Sequence, residues 1–143
     1  MESSADESSR QAELAHEAPI AVRRRWCREG DRVYLCGTLG SEFDRWQRAL
    51  AAVSAADAYF AQRIGLDAVE RVMDELEAEA RRSLEPGERL ERRRSPGYGE
   101  MPLSMSREIL EKLDATRQLG VSLTESELLV PSKSVTAICE VTR

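Results

Sequence analysis

One histidine, His16, and three cysteines, Cys27, Cys36 and Cys139, are the side chains of this 143-residue chain most suited to proton transfer, nucleophilic attack or soft-metal ligation. Their spacing supports none of these. Scattered cysteines with no Cys-x-x-Cys pair and a lone histidine lack the ligand spacing of a zinc site. His16 falls in a segment read below as a leader, so serine and cysteine nucleophiles have no histidine base partner. Gly37-Thr38-Leu39-Gly40 lies between an expected strand and an expected helix, where a phosphate can dock on a helix N-terminus, but two glycines are as readily a tight turn. What remains is charge. Only Lys112 and Lys133 are lysines among the 21 basic residues, so nearly every cation is a planar arginine fork suited to carboxylate or phosphate. These forks cluster at Arg23-Arg24-Arg25 with Arg28, and at Arg92-Arg93-Arg94. A run of carboxylates, Glu70, Asp74, Glu75, Glu77 and Glu79, reads mostly as the solvated face of a helix. Chemistry borne by this chain alone is not expected; a binding or accessory role is.

The balance of 26 acidic against 21 basic residues gives a net charge of −5. That argues against wholesale nucleic-acid binding, which is driven by counterion release from phosphates. The Arg23–Arg25 patch, next to an acidic leader, reads as local charge compensation. An odd cysteine count fits free thiols in a reducing cytoplasm. No window approaches the ~20 apolar residues of a membrane span. Met1-Glu2-Ser3-Ser4-Ala5-Asp6-Glu7 has no apolar stretch of the secretory kind.

Positioning falls to a single α+β domain. With 41% of residues apolar, a core can form. Residues 1–28 read as a disordered or weakly helical leader, and 29–143 as the domain. Arg32 to Thr38 has the near-continuous apolarity of a strand buried on both faces. Ser41 is a candidate helix cap, followed by Phe43, Trp46, Leu50 and Val53 at helical spacing. Asp57 is a candidate cap for a helix running to about Arg82, with Ala61, Leu66, Val69, Met73, Leu76 and Ala80 as its stripe. Gly65 within it marks a packing contact or a break. A polar strand over Glu88–Arg94 leads into the loop Ser95-Pro96-Gly97-Tyr98-Gly99. Ser104 or Ser106 opens a third helix, and Gly120 ends that region. Short strands follow at 121–123 and 128–130, with a last strand over Val135–Val141. The expected fold is a small, largely antiparallel sheet with packed helices.

Two stretches carry a resemblance: Arg93-Arg94-Ser95-Pro96-Gly97-Tyr98-Gly99-Glu100-Met101-Pro102-Leu103, and Leu119 to Ala137 with its Pro131-Ser132-Lys133-Ser134-Val135-Thr136-Ala137. They resemble the activation domain of cobalamin-dependent methionine synthase, and especially the small stand-alone bacterial proteins built from it. Val33 to Gly40 and Asp67-Ala68-Val69-Glu70 are similar as well, so the likeness spans about Asp31 to Val141. It implies an α+β fold, S-adenosylmethionine as ligand, and a place in corrinoid methyl transfer and methionine biosynthesis. There the ligand's methyl group re-arms a cobalamin carried by a partner while a flavodoxin-type protein supplies an electron. The partners implied are a corrinoid protein or methionine synthase modules in trans, with no nucleic acid and no membrane.

Residue by residue, the family's loop falls on Arg93, Ser95, Pro96, Gly97 and Tyr98. The resemblance implies that Arg93 grips the methionyl carboxylate, that the backbone at Ser95 and Tyr98 faces the adenosine, and that Gly97 permits close approach. Glu70 matches the family's helix glutamate and is expected to take the ligand's ammonium. Thr124, Glu125, Lys133 and Ser134 also match but read as turn and sheet-edge residues. Two family features, an early acidic residue and a late tyrosine, find no counterpart here. Loss of an aromatic over a sulfonium removes about 1–2 kcal/mol, so weak ligand affinity is expected. The alternative is a non-catalytic interaction subunit of a corrinoid methyltransferase system with a degenerate ligand site. An arginine-rich anion binder is a third reading, disfavoured by the net charge.

Overall fold

The computed structural model describes residues 4–143. Eleven elements follow in order: α1 (Ser4–Glu17), β1 (Arg23–Glu29), β2 (Arg32–Thr38), α2 (Ser41–Ala51), α3 (Ala55–Arg82), β3 (Arg89–Leu90), α4 (Met105–Leu113), α5 (Ala115–Leu119), β4 (Ser122–Leu123), β5 (Leu129–Val130) and β6 (Ser134–Thr142). Four strands form an antiparallel sheet in the order β1-β2-β6-β3, and β4 pairs with β5 in a small separate hairpin. The architecture is the expected α+β.

β2 and β6 are central because their side chains are apolar on both faces. Val33 and Leu35 of β2, with Ala137, Cys139 and Val141 of β6, pack beneath Met73, Leu76 and Ala80 of α3. Tyr34, Cys36 and Ile138 point to the opposite face and meet Ile109, Leu110 and Leu113 of α4. The two-residue period of a strand thus feeds two separate cores. A third core joins Leu14 of α1, Leu39, Phe43 of α2, and Ile64, Val69 and Val72 of α3.

The leader expected over residues 1–28 is corrected from Ser4 onward; residues 1–3 lie outside the described residues. α1 is a helix whose single large apolar side chain, Leu14, is 0% exposed in the third core. Arg10 also forks onto both carboxylate oxygens of Asp57, at 3.1 and 2.7 Å. The arginine patch is an edge strand, paired with β2 along its length from Arg23↔Thr38 to Glu29↔Arg32. Its charges are compensated by the fold itself, Arg24 by Glu79 and Arg28 by Glu88. Composition pointed to disorder because Leu14, Ile20, Val22 and Trp26 are a small apolar stake for 28 residues; a two-pronged ion pair and seven paired strand residues make up the difference.

Smaller differences concern helix ends. Gly40, at φ 89°, is the residue before α2, and Ser41 is its first helical residue without a side-chain cap. Ser54 rather than Asp57 caps α3, accepting from the Asp57 N–H at 3.2 Å. Val53 lies beyond the end of α2 and is 88% exposed. Gly65 is a packing contact and not a break: a Cβ there would sit 2.8 Å from the Phe43 ring and 2.9 Å from Lys133 Cε. Among the described residues no helix is long and apolar enough to cross a membrane.

Candidate functional site

After β3 the chain stays beside β6 only as far as Arg94, which exchanges two 2.9 Å backbone hydrogen bonds with Ile138. It then swings away at Ser95 and buried Pro96, a residue with no N–H to continue a ladder. The departure opens a cleft of about 740 Å³. One wall is the loop Arg93–Gly99, another is Glu70 of α3, a third is Leu103 before α4 and Ser106 within it, and a fourth is β5 and its flanks with Leu128, Leu129 and Ser132. The floor is β6 at Ser134, Val135 and Thr136.

Four of the five residues singled out in the sequence line this cleft: Glu70, Arg93, Ser95 and Tyr98. The fifth, Gly97, supports it from behind. Its φ of 90° and its N–H bond to the Met101 carbonyl at 2.8 Å hold the bend, and a Cβ there would lie 2.9 Å from Leu103 Cδ2. Glycine is required by backbone conformation and by Leu103. Tyr98 stands 76% exposed at the mouth, where it presents a flat aromatic face.

Arg93 is already engaged. Its guanidinium donates to Glu70 at 2.7 Å, to Asp74 at 2.8 Å and to Glu77 at 3.0 Å, carboxylates that recur on one face of α3. Burial works against its charge, and the hydrogen bonds it donates to Asp74, Glu70 and Glu77 outweigh it, so its pKa is raised above the usual arginine value. Arg94, its neighbour, points the other way, as strand alternation requires. It is largely exposed, with one 3.5 Å ion pair to Glu140. The sequence offered a signal for this, since adjacent residues of a strand must diverge, but the resemblance singled out Arg93. Glu100, Leu103, Ser106, Glu127 and Thr136 were likewise not singled out; they reach the cleft from four different segments, and no local pattern marks them.

The remaining candidates are structural. Cys36 and Cys139 are buried and their thiols are pushed up to about 12, by burial first in each case. Gly37 gives way to Val72, with a Cβ placed 2.8 Å from Val72 Cγ1, and Gly40 turns the chain beneath Ala21. No group of three or more metal-ligating side chains occurs among the described residues. Lys133 is buried beside Phe43, its ammonium 6.0 Å from the ring centroid.

A two-faced antiparallel sheet with a loop-walled cleft at the free edge of its last strand defines a small α+β domain that carries a ligand-sized cavity. In a crystal structure, the reactivation domain of MetH bound to AdoHcy has the same fold: TM-score 0.68 over 95% of this chain, at 17% sequence identity. The matched region is 63% of that chain, so this protein spans about three-fifths of it. No protein-family model and no curated protein matches the sequence.

Proposed function

We propose that the cleft binds S-adenosylmethionine, and that the protein serves as an activation-domain-like partner in corrinoid methyl transfer, supporting reductive remethylation of a cobalamin held by another protein. The observation that carries this reading is one cleft, in a fold shared with a domain crystallised with AdoHcy, walled by the loop Arg93–Tyr98 and by Glu70.

The donor set fits a small zwitterion with a purine. Glu70 and its carboxylate neighbours suit an ammonium or sulfonium. Arg94 has donors to spare for a carboxylate, and Tyr98 can lie over an apolar or cationic face. When bound, S-adenosylmethionine supplies a methyl group activated by its positive sulfur. This chain's residues bind and orient it, and the cobalt chemistry belongs to a partner such as a corrinoid protein or methionine synthase modules, with a flavodoxin-type electron source. The protein is no catalyst alone on this reading.

A second reading rests on the Arg93 cluster. Because three carboxylates already hold that guanidinium, the ligand site is degenerate and the chain is an interaction subunit. Titration calorimetry of the full chain with S-adenosylmethionine and S-adenosylhomocysteine separates the two. Micromolar-range heats that weaken in Glu70→Gln support ligand binding. No heat with either compound, together with ligand-independent co-purification with a corrinoid protein, supports the subunit reading.

A further inference from the structure

The floor of the cleft holds a feature that neither arginine explains. β2 covers one side of β6 throughout Ser134–Glu140. In that register Leu39 N–H donates to the Lys133 carbonyl at 3.0 Å and Val141 N–H to the Asp31 carbonyl at 2.8 Å. The odd-numbered residues of β6 therefore bond to β2, and the even-numbered ones turn N–H and C=O the other way. On that other side Ile138 is paired with Arg94, and the Glu140 carbonyl accepts from Glu91 at 2.8 Å. Past Arg94 the neighbouring chain is gone.

Ser134 and Thr136 are the next even-numbered residues, and their backbone N–H and C=O groups take no partner among the described residues. Yet Thr136 is 2% exposed and Ser134 8%. Their hydroxyls are committed elsewhere: Thr136 Oγ1 lies 3.1 Å from Ser106 Oγ, and Ser134 Oγ donates to the Pro131 carbonyl at 2.6 Å and lies 2.7 Å from Thr38 Oγ1. Buried main-chain donors and acceptors are paired in more than 90% of cases. Here a strip offering donor, acceptor, donor and acceptor in turn faces a ligand-sized cavity.

We propose that this strip of β6, Ser134 to Thr136, binds the planar hydrogen-bonding edge of a nucleobase, the 6-amino edge of adenine with its adjacent ring nitrogen. The inference rests on the S-adenosyl reading of the cleft and puts recognition of the base on the floor, in place of the Ser95 and Tyr98 backbone that the resemblance implies. The strip lies between the Pro131 turn and the Arg94 bridge, too short for an added peptide strand, whereas a base edge needs a single donor–acceptor pair. It carries no formal charge, while the cations and carboxylates that suit a zwitterion sit on the side walls at Arg93, Arg94 and Glu70. Leu103, one turn before Ser106 on the wall, supplies an apolar surface for a ring.

The test is amide hydrogen exchange by NMR on the ¹⁵N-labelled full chain, with S-adenosylhomocysteine as probe. In the free protein Thr136 N–H exchanges about tenfold or more faster than its β2-bonded neighbours Val135 and Ala137. Saturating ligand slows Thr136 about tenfold and leaves those neighbours unchanged. The 6-dimethylamino analogue, which has lost its donors, binds at least about tenfold more weakly and gives no such protection. If S-adenosylhomocysteine releases heat but Thr136 exchange does not move, the base lies elsewhere; the inference falls and the ligand reading stands. If neither heat nor protection appears, both fall.

Discussion

Arg93 Nη2 and Glu70 Oε2 meet at 2.7 Å, joining the loop before Pro96 to the middle of α3 across one wall of the cleft. Arg93 is 18% exposed in its side chain and, among the described residues, is the only cation bonded to Glu70 and Asp74. The loop is therefore anchored by charge rather than by apolar packing. Replacing Arg93 with Met leaves three like charges facing each other on α3. We expect a loss of about 1–3 kcal/mol in urea unfolding, since uncompensated, partly buried carboxylates cost more than an exposed ion pair contributes. Arg94→Met, by contrast, removes only a long contact to Glu140 and leaves the unfolding midpoint within about 0.5 kcal/mol. If ligand affinity drops in Arg94→Met while stability holds, Arg94 is the carboxylate fork of the cleft.

The cleft's formal charges favour cations. Glu70, Glu100 and Glu127 line it against Arg93 and Arg94, and Asp74 and Glu77 stand behind Arg93. At neutral pH S-adenosylmethionine carries one positive charge more than S-adenosylhomocysteine. The sulfonium is expected to bind about three- to tenfold tighter, a preference that shrinks at high salt because the cleft is open to solvent. Competitive calorimetry at low and high salt reads both quantities. Equal affinity at low salt would place the charged cluster out of reach of the sulfur.

How much of this was legible in the residues differs from part to part. The near-continuous apolarity of Arg32–Thr38 marks a strand covered on both faces, as β2 is, and the Arg93–Tyr98 loop singled out in the sequence walls the cleft. Two things were not legible. The leader's role depends on Arg10 reaching Asp57, 47 residues away, which no local composition reports. The β6 strip depends on where β3 stops pairing, and strand pairing is a property of neighbours rather than of the strand's own sequence. Arg93, singled out in the sequence, lines the cleft; that its charge is already taken follows from α3 carboxylates spaced so that Glu70, Asp74 and Glu77 share a face.

Gly65 offers a stability test in which two effects oppose. Alanine gains about 1 kcal/mol of helix propensity at this mid-helix site. Its Cβ, however, falls 2.8 Å from two atoms of the Phe43 ring and 2.9 Å from Lys133 Cε. The ring belongs to the third core and has nowhere to move, so overpacking wins. Gly65→Ala is expected to lower stability by about 1–3 kcal/mol, measured as a fall in the denaturant midpoint at unchanged slope. A rise would mean that α2 slides freely on α3.

Acid stability turns on Glu88. Arg28 donates to both its oxygens at 2.8 and 2.6 Å, the Glu85 N–H at 3.0 Å, and Arg143 at 3.0 Å. Its carboxyl is lowered to about 2, chiefly by the Arg28 hydrogen bonds. The unfolded chain takes up its proton near the ordinary value of about 4.3. The contribution of Glu88 is thus fully present above that pH and is lost progressively as pH falls toward 2. Urea midpoints measured across this range should decline more steeply in wild type than in Glu88→Gln.

The thiols give the opposite sign. Burial pushes Cys36 and Cys139 up to about 12, with Glu77 adding to Cys139, whereas an unfolded thiol ionises near 8.5. A raised acid is stabilising below the unfolded value and ceases to be so as pH climbs toward 12. Stability should therefore fall between about pH 8.5 and 12, and Cys36→Ala should flatten the slope even as the smaller side chain lowers the plateau. Thiol labelling reads the same chemistry directly. Cys27 is only half-buried, its Sγ 3.7 Å from the Lys112 carbonyl, and burial raises its pKa as well. Near pH 8 a disulfide reagent should modify Cys27 slowly in the native protein and reach Cys36 and Cys139 only on unfolding, because the thiolate is the attacking species and both buried sulfurs are shielded and protonated. Three fast thiols in the native state would show that the sheet opens on the timescale of the reaction.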